Sequence, residues 1–403
     1  MIPRIREVHL RNYRSIEEAV VRLSDFTVLV GPNGAGKTNF VDALAFVQEC
    51  LSTSVEAALA RRGGPLRIVR GITEVPDVRA GFRLVIDFDA KTVADYAFEI
   101  TASRNGAFTV AEERCVVSVA GQERHRLDVR NGAFKKALSG VRPVIEPDRL
   151  ALYAASSLDE FRPVYDFLTQ VRAYGIDPEK LRELRDPAPG LVLERQGGNA
   201  AAVLRELEEN KKDWYARVSS LLAAVVPGIT HLEGATVGGK QFLFFAEKGT
   251  GPTPPLGLFP SNMSDGTLRM LGLLLAVYQP VTPSVLLIEE PEATIHPAAA
   301  EVVMSVLLDA AKRSQVIVTT HSPDVLDFKA VPESAIRVVT KGPHGTTIAP
   351  VTSSSRDAIR QRLYSAGELL RADELNPDIA AAESLAGEHD LFGEPVHAFG
   401  EDA

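Results

Sequence analysis

Residues 31 to 38 read Gly-Pro-Asn-Gly-Ala-Gly-Lys-Thr and directly follow the apolar run from Phe26 to Val30. This is the complete GxxxxGK[ST] pattern, in which a strand ends in a glycine-rich turn and a helix begins. In that arrangement successive backbone N–H groups form a concave anion site, and the positive end of the helix adds to it. The pattern therefore restricts the chain to folds in which a buried strand leads into a helix through a phosphate-binding turn.

The end of the same stretch indicates the ligand. In this pattern the lysine, Lys37, reaches the β- and γ-phosphates of a nucleoside triphosphate, and the hydroxyl of Thr38 is offered to Mg²⁺. Phe40, Leu44 and Leu51 keep a helical period behind the loop. The residues expected to contact the nucleotide are Gly31, Pro32, Asn33, Gly34, Ala35, Gly36, Lys37, Thr38 and Asn39.

The composition is that of an ordinary globular protein. Of the 403 residues 45% are hydrophobic, which suffices for one large core or two moderate ones. The longest apolar run, from Met270 to Tyr278, is far shorter than the roughly 20 residues that a bilayer requires, and the N-terminus has no signal-peptide core. Cys50 and Cys115 show no metal-binding spacing. We therefore expect a cytoplasmic protein with no membrane segment, disulfide framework or zinc site.

The acidic residues are unevenly distributed. The net charge is −9, and residues 372–403 contain nine acidic residues and no lysine or arginine. A tail this poor in apolar residues is expected to be solvated and poorly ordered; the alternative is a docking tail or a mask for a basic surface. The basic clusters at 61–70 and 124–136 are explained about as well by solvated faces as by nucleic acid.

The periodicity of apolar residues predicts a split α/β architecture. Residues 1–50 and 255–350 are expected to form a P-loop core, because continuous apolar strands that alternate with helices are typical of a parallel sheet covered on both faces. Short alternating segments predict an antiparallel β subdomain at 79–130. Helical periods predict a helical insertion at 150–226 and C-terminal helices at 351–371.

Two neighbouring carboxylates follow a predicted buried strand. Glu289 and Glu290 come directly after the apolar run from Val285 to Ile288. In an open parallel sheet, ligands lie beyond the carboxyl ends of the strands. Glu289 would hold Mg²⁺ through its water shell, and Glu290 would orient or deprotonate the attacking water. The alternative is the solvated start of a loop, and Glu292 is expected to face solvent or a partner.

Two further polar groups are candidates for the same chemistry. His321 follows the predicted strand from Val316 to Thr319 and is expected to hydrogen-bond the γ-phosphate or the attacking water. Ser264 opens a predicted helix whose N–H groups, next to Gly266, would point at a phosphate. Asp265 in that turn opposes anion binding. A structural histidine and an ordinary capped helix are the alternatives.

Taken in order, these motifs resemble a known family. The chain reads GPNGAGKT at 31–38, MSDGTLR at 263–269, LLIEEPE at 286–292 and TTHSP at 319–323. This order is similar to that of the ABC-type ATPases of the RecF, SMC and OLD group. It is most similar to the small stand-alone branch of that group, which occurs in bacterial DNA maintenance and anti-phage defence.

The beginning of the chain extends the resemblance. Ile5 to Leu10 and Ala19 to Leu23 predict a hairpin with a turn at residues 11–15. That turn is similar to the loop that in this group lies beside the nucleotide base and the α-phosphate. Arg11 and Asn12 are therefore expected to bind nucleotide.

The resemblance implies a fold, cofactors and partners. The fold would be an α/β P-loop NTPase head of the ABC-ATPase type, with a mixed or parallel sheet, an antiparallel β subdomain and a helical insertion. ATP and Mg²⁺ would be the cofactors, the head would form a homodimer around ATP, a nuclease or effector would be the partner, and DNA is a candidate ligand. Each site would combine residues 31–38, Glu289, Glu290 and His321 of one copy with Ser264 and Gly266 of the other.

Three departures from the family pattern stand against this transfer. The signature reads Ser-Asp-Gly-Thr from Ser264 rather than Ser-Gly-Gly-Gln, and the first acid after the strand is Glu289 rather than aspartate. No lobe-coupling glutamine is assigned, because Gln48 lies too close to the phosphate loop.

Three other functions share the nucleotide chemistry. An OLD-type ATPase that carries its own nuclease would need a TOPRIM domain, for which the stretch between His321 and residue 403 is too short. The ATPase subunit of a membrane transporter is disfavoured, because about twice the usual length separates Thr38 from Ser264. A regulatory ATPase that restrains a toxic partner shares all these motifs and stays open.

Overall fold

A computed structural model describes residues 2–70, 77–135, 145–146, 148–249, 255–328, 330–343, 345–388 and 390–393. Within them the strands are β1 Arg4–Tyr13, β2 Ile16–Arg22, β3 Phe26–Val30, β4 Asp77–Asp87, β5 Thr92–Ser103, β6 Phe108–Val119, β7 Gln122–Arg130, β8 Ala133–Phe134, β9 Val171–Tyr174, β10 Ile229–Val237, β11 Lys240–Glu247, β12 Leu256–Leu258, β13 Val285–Glu289, β14 Gln315–Thr320, β15 Ile336–Gly342 and β16 Gly345–Pro350. The helices are α1 Lys37–Ser52, α2 Val55–Arg61, α3 Ala151–Ala155, α4 Arg162–Thr169, α5 Pro178–Arg182, α6 Ala200–Asn210, α7 Lys212–Val225, α8 Asp265–Tyr278, α9 Pro297–Ala310, α10 Pro323–Leu326, α11 Ser353–Arg360, α12 Ala366–Arg371 and α13 Ile379–Glu388.

The chain divides into two compact units. Unit 1 comprises residues 1–171 and 332–403, and unit 2 comprises residues 172–331. None of the helices in the described ranges is both long and apolar enough to cross a bilayer.

Unit 1 contains a large antiparallel sheet. Its strand order is β2-β1-β4-β5-β6-β7-β8, and its core side packs aromatic side chains. The Phe82 ring lies 4.9 Å from that of Phe98 and 5.3 Å from those of Tyr13 and Phe46. Such ring pairs add to the stabilisation from apolar burial. Phe46 belongs to α1, so this cluster joins the antiparallel sheet to the helix behind the phosphate loop.

The strand before the phosphate loop is buried along its whole length. All five residues of β3 are buried, which agrees with their continuous apolar pattern. β3 pairs in parallel with β15, and β15 pairs with β16 in an antiparallel manner. The loop from Gly31 therefore begins at the carboxyl end of a strand fixed by its neighbour.

The C-terminal part of the chain differs from the expected solvated tail. α13 packs on β2 and β16, and Leu391 is completely buried. The Arg83 guanidinium donates to the carbonyl of Asp390 at 2.6 Å, and Arg114 donates to the next two carbonyls after Leu391, at 2.7 Å each. Buried guanidinium groups thus bind this segment by its backbone, which overall acidity does not reveal. Residues 394–403 lie outside the described part of the chain.

Unit 2 contains parallel and antiparallel strand pairs together with helices. β13 and β14 pair in parallel, with Glu289 opposite Thr319, and the helix α8 is largely buried. β10, β11 and β12 form a separate three-stranded antiparallel sheet. The predicted helical insertion is less helical than expected: it contains β9, and residues 183–199 form neither helix nor strand. The glycines and prolines of this stretch interrupt the helical period that surrounds them.

Candidate functional site

The phosphate-binding loop of unit 1 is built on glycines with left-handed backbone. Gly34 has φ +78° and Gly36 has φ +114°, values that side-chain-bearing residues rarely adopt. α1 begins at Lys37, within the loop 31–38, so the N–H groups of its first turn point out of the helix N-terminus. The Lys37 side chain is 5% exposed and folds along the loop, where Nζ donates to the carbonyls of Gly31 at 2.6 Å and Pro32 at 3.1 Å. The Lys37 ammonium group is therefore held by backbone carbonyls of the phosphate-binding loop.

A network of side-chain hydrogen bonds connects the phosphate-binding loop to neighbouring parts of unit 1. The Asn39 side-chain amide donates to Ser15 Oγ at 2.5 Å, and Thr346 Oγ1 donates to the carbonyl of Ala35 at 2.7 Å. The two hydroxyls lie 2.7 Å apart. Because the Thr346 proton is used on Ala35, the Ser15 hydroxyl donates to Thr346. Asn39, an expected nucleotide-binding residue, therefore supports the loop through its side chain.

Two loop glycines are required by close neighbours. A Cβ on Gly31 would lie 2.0 Å from the carbonyl oxygen of Val339 in β15. A Cβ on Gly36 would lie 2.1 Å from Thr346 Oγ1. These distances are far below any van der Waals contact, so the neighbouring strands fix both glycines sterically. Their place in the motif therefore has a packing cause in addition to anion binding.

Arg11 and Asn12 lie on β1 rather than in the predicted turn. β1 continues to Tyr13, and the chain reverses at Arg14 and Ser15. Asn12 donates from its amide to the carbonyl of Arg79 at 3.1 Å. The expected longer turn was wrong because β1 continues to Tyr13, whose ring is fully buried and whose hydroxyl donates to Asp42.

A cavity lies beside these two residues in unit 1. Its volume is about 570 Å³, and it is lined among others by Arg11, Asn12, Thr346, Ile379 and Glu383. Its wall thus includes the threonine that supports the phosphate loop and residues of α13. A cavity of this size is ordinary for a small-molecule site.

In unit 2 the ends of β13 and β14 carry the predicted acidic and histidine side chains. Glu289 is the last residue of β13, with 17% of its side chain exposed, and Oε1 lies 3.0 Å from Arg195 Nη2. Glu290 Oε1 lies 3.5 Å from His321 Nδ1. The side chains of Glu290 and His321 are partly exposed, at 37% and 46% respectively. The parallel pairing of the two strands brings these groups to one edge.

Glu290 has an unusual backbone. Its φ is +44°, a left-handed value that costs a non-glycine residue about 1–3 kcal/mol and occurs preferentially at functional sites. Its N–H donates to the carbonyl of Thr319 at 3.0 Å, so β14 holds the strained residue in place. A carboxylate and an imidazole held face to face form a pair that can accept and pass on a proton.

Glu292 does not face solvent or a partner as expected. Thr320 Oγ1 donates to its Oε1 at 2.5 Å, and the Ser322 N–H donates to the same threonine oxygen at 2.9 Å. Burial raises the pKa of Glu292, although the Thr320 hydrogen bond opposes that shift. The third acid of the motif therefore has a structural role, because it binds Thr320 at the end of β14. Its position after Pro291 in the sequence did not indicate this contact.

The signature turn shows how its aspartate is accommodated. Ser264 caps α8, since its Oγ accepts the N–H of Thr267 at 3.2 Å. The Asp265 carboxylate lies 2.6 Å from an Arg182 guanidinium nitrogen, so its charge is compensated within unit 2. A Cβ on Gly266 would lie 2.7 Å from the carbonyl oxygen of Thr294. The glycine is therefore required by the loop after Glu290.

The predicted residues are divided between the two units. Unit 1 holds those of the phosphate loop together with Arg11 and Asn12. Unit 2 holds Glu289, Glu290, His321, Ser264 and Gly266.

Comparison with known proteins assigns the chain to a family. A family model described as "AAA domain, putative AbiEii toxin, Type IV TA system" matches residues 26–327. The chain belongs to this AAA-domain family. The predicted relation to the RecF, SMC and OLD group is confirmed by the matches that follow.

Relatives of this AAA-domain chain include three kinds of protein. The DNA replication and repair protein RecF of Corynebacterium jeikeium (strain K411) is 47% identical over 62 residues, 15% of this chain and 15% of that protein. The chromosome partition protein Smc of Methanococcus voltae is 43% identical over 44 residues, 11% of this chain and 4% of that protein. The Old nuclease of Escherichia phage P2 is 24% identical over 386 residues, 88% of this chain and 62% of the nuclease. The chain thus spans less than two thirds of each.

Solved structures agree with the predicted fold class. An Smc head bound to the C-winged helix domain of ScpA has a TM-score of 0.52 at 17% identity, over 88% of this chain and 99% of that one. An Smc head with an extended coiled coil, derived from Pyrococcus furiosus and bound to the C-terminal domain of ScpA, has a TM-score of 0.51 at 15% identity, over 90% of this chain and all of that one. The AAA-domain chain therefore has an SMC-head type of P-loop fold.

The donor set of the AAA-domain chain fits ATP and Mg²⁺. Main-chain N–H groups at a helix N-terminus and a lysine suit phosphate oxygens. Thr38 offers a hydroxyl and Glu289 a carboxylate, which are the oxygen ligands that Mg²⁺ prefers. Within the described ranges no group of three or more His, Cys, Asp or Glu side chains could hold a metal ion alone.

Sequence reasoning missed three supporting residues. Thr346 stands in an ordinary strand, and Arg182 and Arg195 stand in the stretch taken for a helical insertion. Each acts on a motif residue at least 80 positions away. No local pattern marks such a contact.

Proposed function

We propose that this chain binds and hydrolyses ATP as an ABC-type ATPase of the RecF, SMC and OLD group. The observation that carries the proposal is the loop 31–38, in which left-handed glycines, a helix N-terminus and Lys37 converge after a buried strand. This combination provides both the backbone N–H groups and the positive charge that a triphosphate requires. The family match over residues 26–327 supports the same assignment.

In the proposed site, Lys37 exchanges its bonds to the Gly31 and Pro32 carbonyls for bonds to phosphate oxygens. Thr38 of unit 1 and Glu289 of unit 2 are the residues that would hold Mg²⁺, through a hydroxyl and a carboxylate. The ion would neutralise negative charge on the phosphates. The cavity beside Arg11 and Asn12 is our candidate for the nucleoside end of the ligand.

Hydrolysis is assigned to the pair Glu290 and His321. A Glu290 carboxylate oxygen accepts a proton from the attacking water as the water oxygen bonds to the γ-phosphorus and the bond to the β-phosphate oxygen breaks. His321, with Nδ1 at 3.5 Å from that carboxylate, orients it and donates to the phosphate. The products are ADP and phosphate.

ATP is also proposed to join two copies of the chain. The α8 N-terminus with Ser264 and Gly266 would face the γ-phosphate bound by the other copy. The ion pair between Arg182 and Asp265 supports this proposal, because it removes the repulsion that an isolated aspartate would exert on an anion. Binding energy from two nucleotides would close the dimer and hydrolysis would release it.

The direct test uses the purified chain. We expect Mg²⁺-dependent release of phosphate from ATP, and in light scattering a molar mass that doubles when a non-hydrolysable ATP analogue is added. If the chain releases phosphate but stays monomeric, the proposed dimer is refuted and the proposed ATPase activity is supported. Failure to bind any nucleoside triphosphate in calorimetry would refute the proposal as a whole.

We further propose a role in DNA maintenance or anti-phage defence, with a nuclease or effector supplied by another chain. The names of the relatives support this: RecF is a replication and repair protein, Smc a chromosome partition protein and Old a nuclease. They favour this role over the ATPase subunit of a membrane transporter.

DNA binding makes a specific salt prediction. If the chain binds DNA through phosphates, its affinity for a labelled duplex should fall by at least about ten-fold between roughly 50 and 200 mM salt, because bound counterions are released. Fluorescence anisotropy with ATP present, repeated with a single strand, measures this. No binding at the low salt concentration, or an affinity that does not change with salt, would argue against DNA as a ligand.

A second candidate is a regulatory ATPase that restrains a toxic partner. The family description, which names a toxin and a toxin–antitoxin system, favours it. Proteins that co-purify with the ATP-bound chain would distinguish it from a DNA-maintenance role, since a toxin partner would be retained after nuclease treatment.

A further inference from the structure

Arg195 forms an ion pair with the acid assigned to Mg²⁺. Its Nη2 lies 3.0 Å from Glu289 Oε1, with 42% of the arginine side chain and 17% of the glutamate side chain exposed. No sequence motif includes Arg195. It lies in the irregular stretch at 183–199, far along the chain from β13.

The backbone around Arg195 is fixed by its neighbours. The Arg195 carbonyl accepts the N–H of Gly175 at 3.1 Å, and the carbonyl of Gln196 accepts that of Asp177 at 3.2 Å. On the other side of the turn, Asn199 Oδ1 accepts the N–H of Glu194 at 2.8 Å. The guanidinium is therefore presented to Glu289 from an ordered segment.

Glu289 occupies a position where the family pattern has aspartate, and its longer side chain explains why an anchoring contact would matter. A glutamate carboxylate has one more rotatable bond, so holding it in one orientation costs more side-chain entropy. The hydrogen bond from Arg195 goes to Oε1 and restricts the rotation of the carboxylate. The other oxygen, Oε2, would then serve the water shell of a metal ion. Groups that orient metal ligands from behind contribute strongly to metal affinity.

The arginine also places positive charge near the metal position, which opposes Mg²⁺. That repulsion is reduced because 42% of the Arg195 side chain is in contact with solvent, and exposed charges interact weakly. The hydrogen bond that orients Glu289 is less open to solvent on the glutamate side, where 17% of the side chain is exposed. We therefore expect the orienting effect to be the larger one.

We propose that Arg195 is a positioning residue that anchors Glu289 and thereby compensates for its longer side chain in Mg²⁺ binding. This inference rests on the proposed function, since it assumes that Glu289 serves the metal of a bound nucleotide. The proposal makes Arg195, from the irregular stretch at 183–199, part of the surroundings of the proposed metal site.

The test is the metal dependence of nucleotide binding by Arg195→Ala. With a fluorescent non-hydrolysable ATP analogue, we expect the Mg²⁺ concentration for half-maximal binding to rise about ten-fold, as for loss of an orienting partner. Binding of the analogue in EDTA should stay unchanged. Electron paramagnetic resonance of Mn²⁺ in the same complex should show correspondingly weaker binding of the ion.

Matched variants separate positioning from a general effect. Arg205→Ala removes an exposed arginine of α6 that pairs with Glu209, and it should leave the metal titration unchanged. Arg195→Lys should recover part of the loss. In a Glu289→Asp background, removal of Arg195 should cost less than about two-fold, because the shorter side chain needs less anchoring.

The outcomes distinguish this inference from the proposed function. If wild-type protein binds the analogue in a metal-dependent way and Arg195→Ala behaves like wild type, or binds metal more tightly, Arg195 does not position Glu289. An equal loss in the Glu289→Asp background would also overturn the inference. If wild-type protein shows no metal-dependent nucleotide binding, the proposed function falls and this assignment falls with it.

Discussion

Replacing Glu290 by glutamine is expected to slow ATP hydrolysis by about 10² to 10⁴-fold, the usual effect of removing a general base. The amide keeps the size of the side chain and cannot take the proton of the attacking water. Lys37 and the loop are unchanged, so ATP should still bind. Single-turnover phosphate release measures the rate, and light scattering should show that ATP now traps the dimer.

Glu301→Gln is the matched control, because Glu301 is an exposed residue of α9 in the same unit. It should hydrolyse ATP at the wild-type rate. A Glu290→Gln protein that turns over ATP normally would remove Glu290 as the base. A variant that binds ATP tightly and stays monomeric would instead contradict the proposed role of α8 and Ser264.

The phosphate loop could be predicted because its requirements are local. Gly34 and Gly36 supply the backbone angles, and Lys37 follows within one turn, so a single short window contains the chemistry. The Ser264 cap is predictable for the same reason, since its bond to Thr267 spans three residues.

The side chains at the strand ends of unit 2 could be predicted from the sequence by a general rule about parallel sheets. Apolar runs before Glu289 and before His321 predict neighbouring parallel strands, and such strands end at one edge of a sheet. β13 and β14 do pair in parallel, which brings Glu290 within 3.5 Å of His321. The left-handed φ of Glu290 had no signal in the sequence.

Contacts between distant segments could not be predicted. Arg182 and Arg195 lie in the predicted helical insertion and belong to no motif, yet each pairs with a motif carboxylate. Charge composition likewise failed for the C-terminal segment, where Arg83 and Arg114 bind backbone carbonyls and Leu391 is buried. A few specific donors decide order there, and net charge does not report them.

Lys37→Ala is expected to lower ATP affinity by about 10² to 10⁴-fold, which amounts to loss of binding at ordinary concentrations. Two charge-assisted hydrogen bonds to phosphate are worth about 1.5–3 kcal/mol each, and every 1.4 kcal/mol is ten-fold in affinity. The variant also leaves the carbonyls of Gly31 and Pro32 without their lysine donor. Calorimetry with ATP and Mg²⁺ measures the affinity, and thermal unfolding without nucleotide establishes that the loop variant is folded.

The control for charge alone is Lys312→Ala, since the side chain of Lys312 is 79% exposed and pairs only weakly with Asp309 at the surface. It removes the same charge from the chain, so it should bind ATP like the wild-type protein. Equal losses in both variants would mean that Lys37 acts through overall charge. Retained tight binding by a folded Lys37→Ala protein would remove the loop at 31–38 as the phosphate site, because no other lysine lies within that loop.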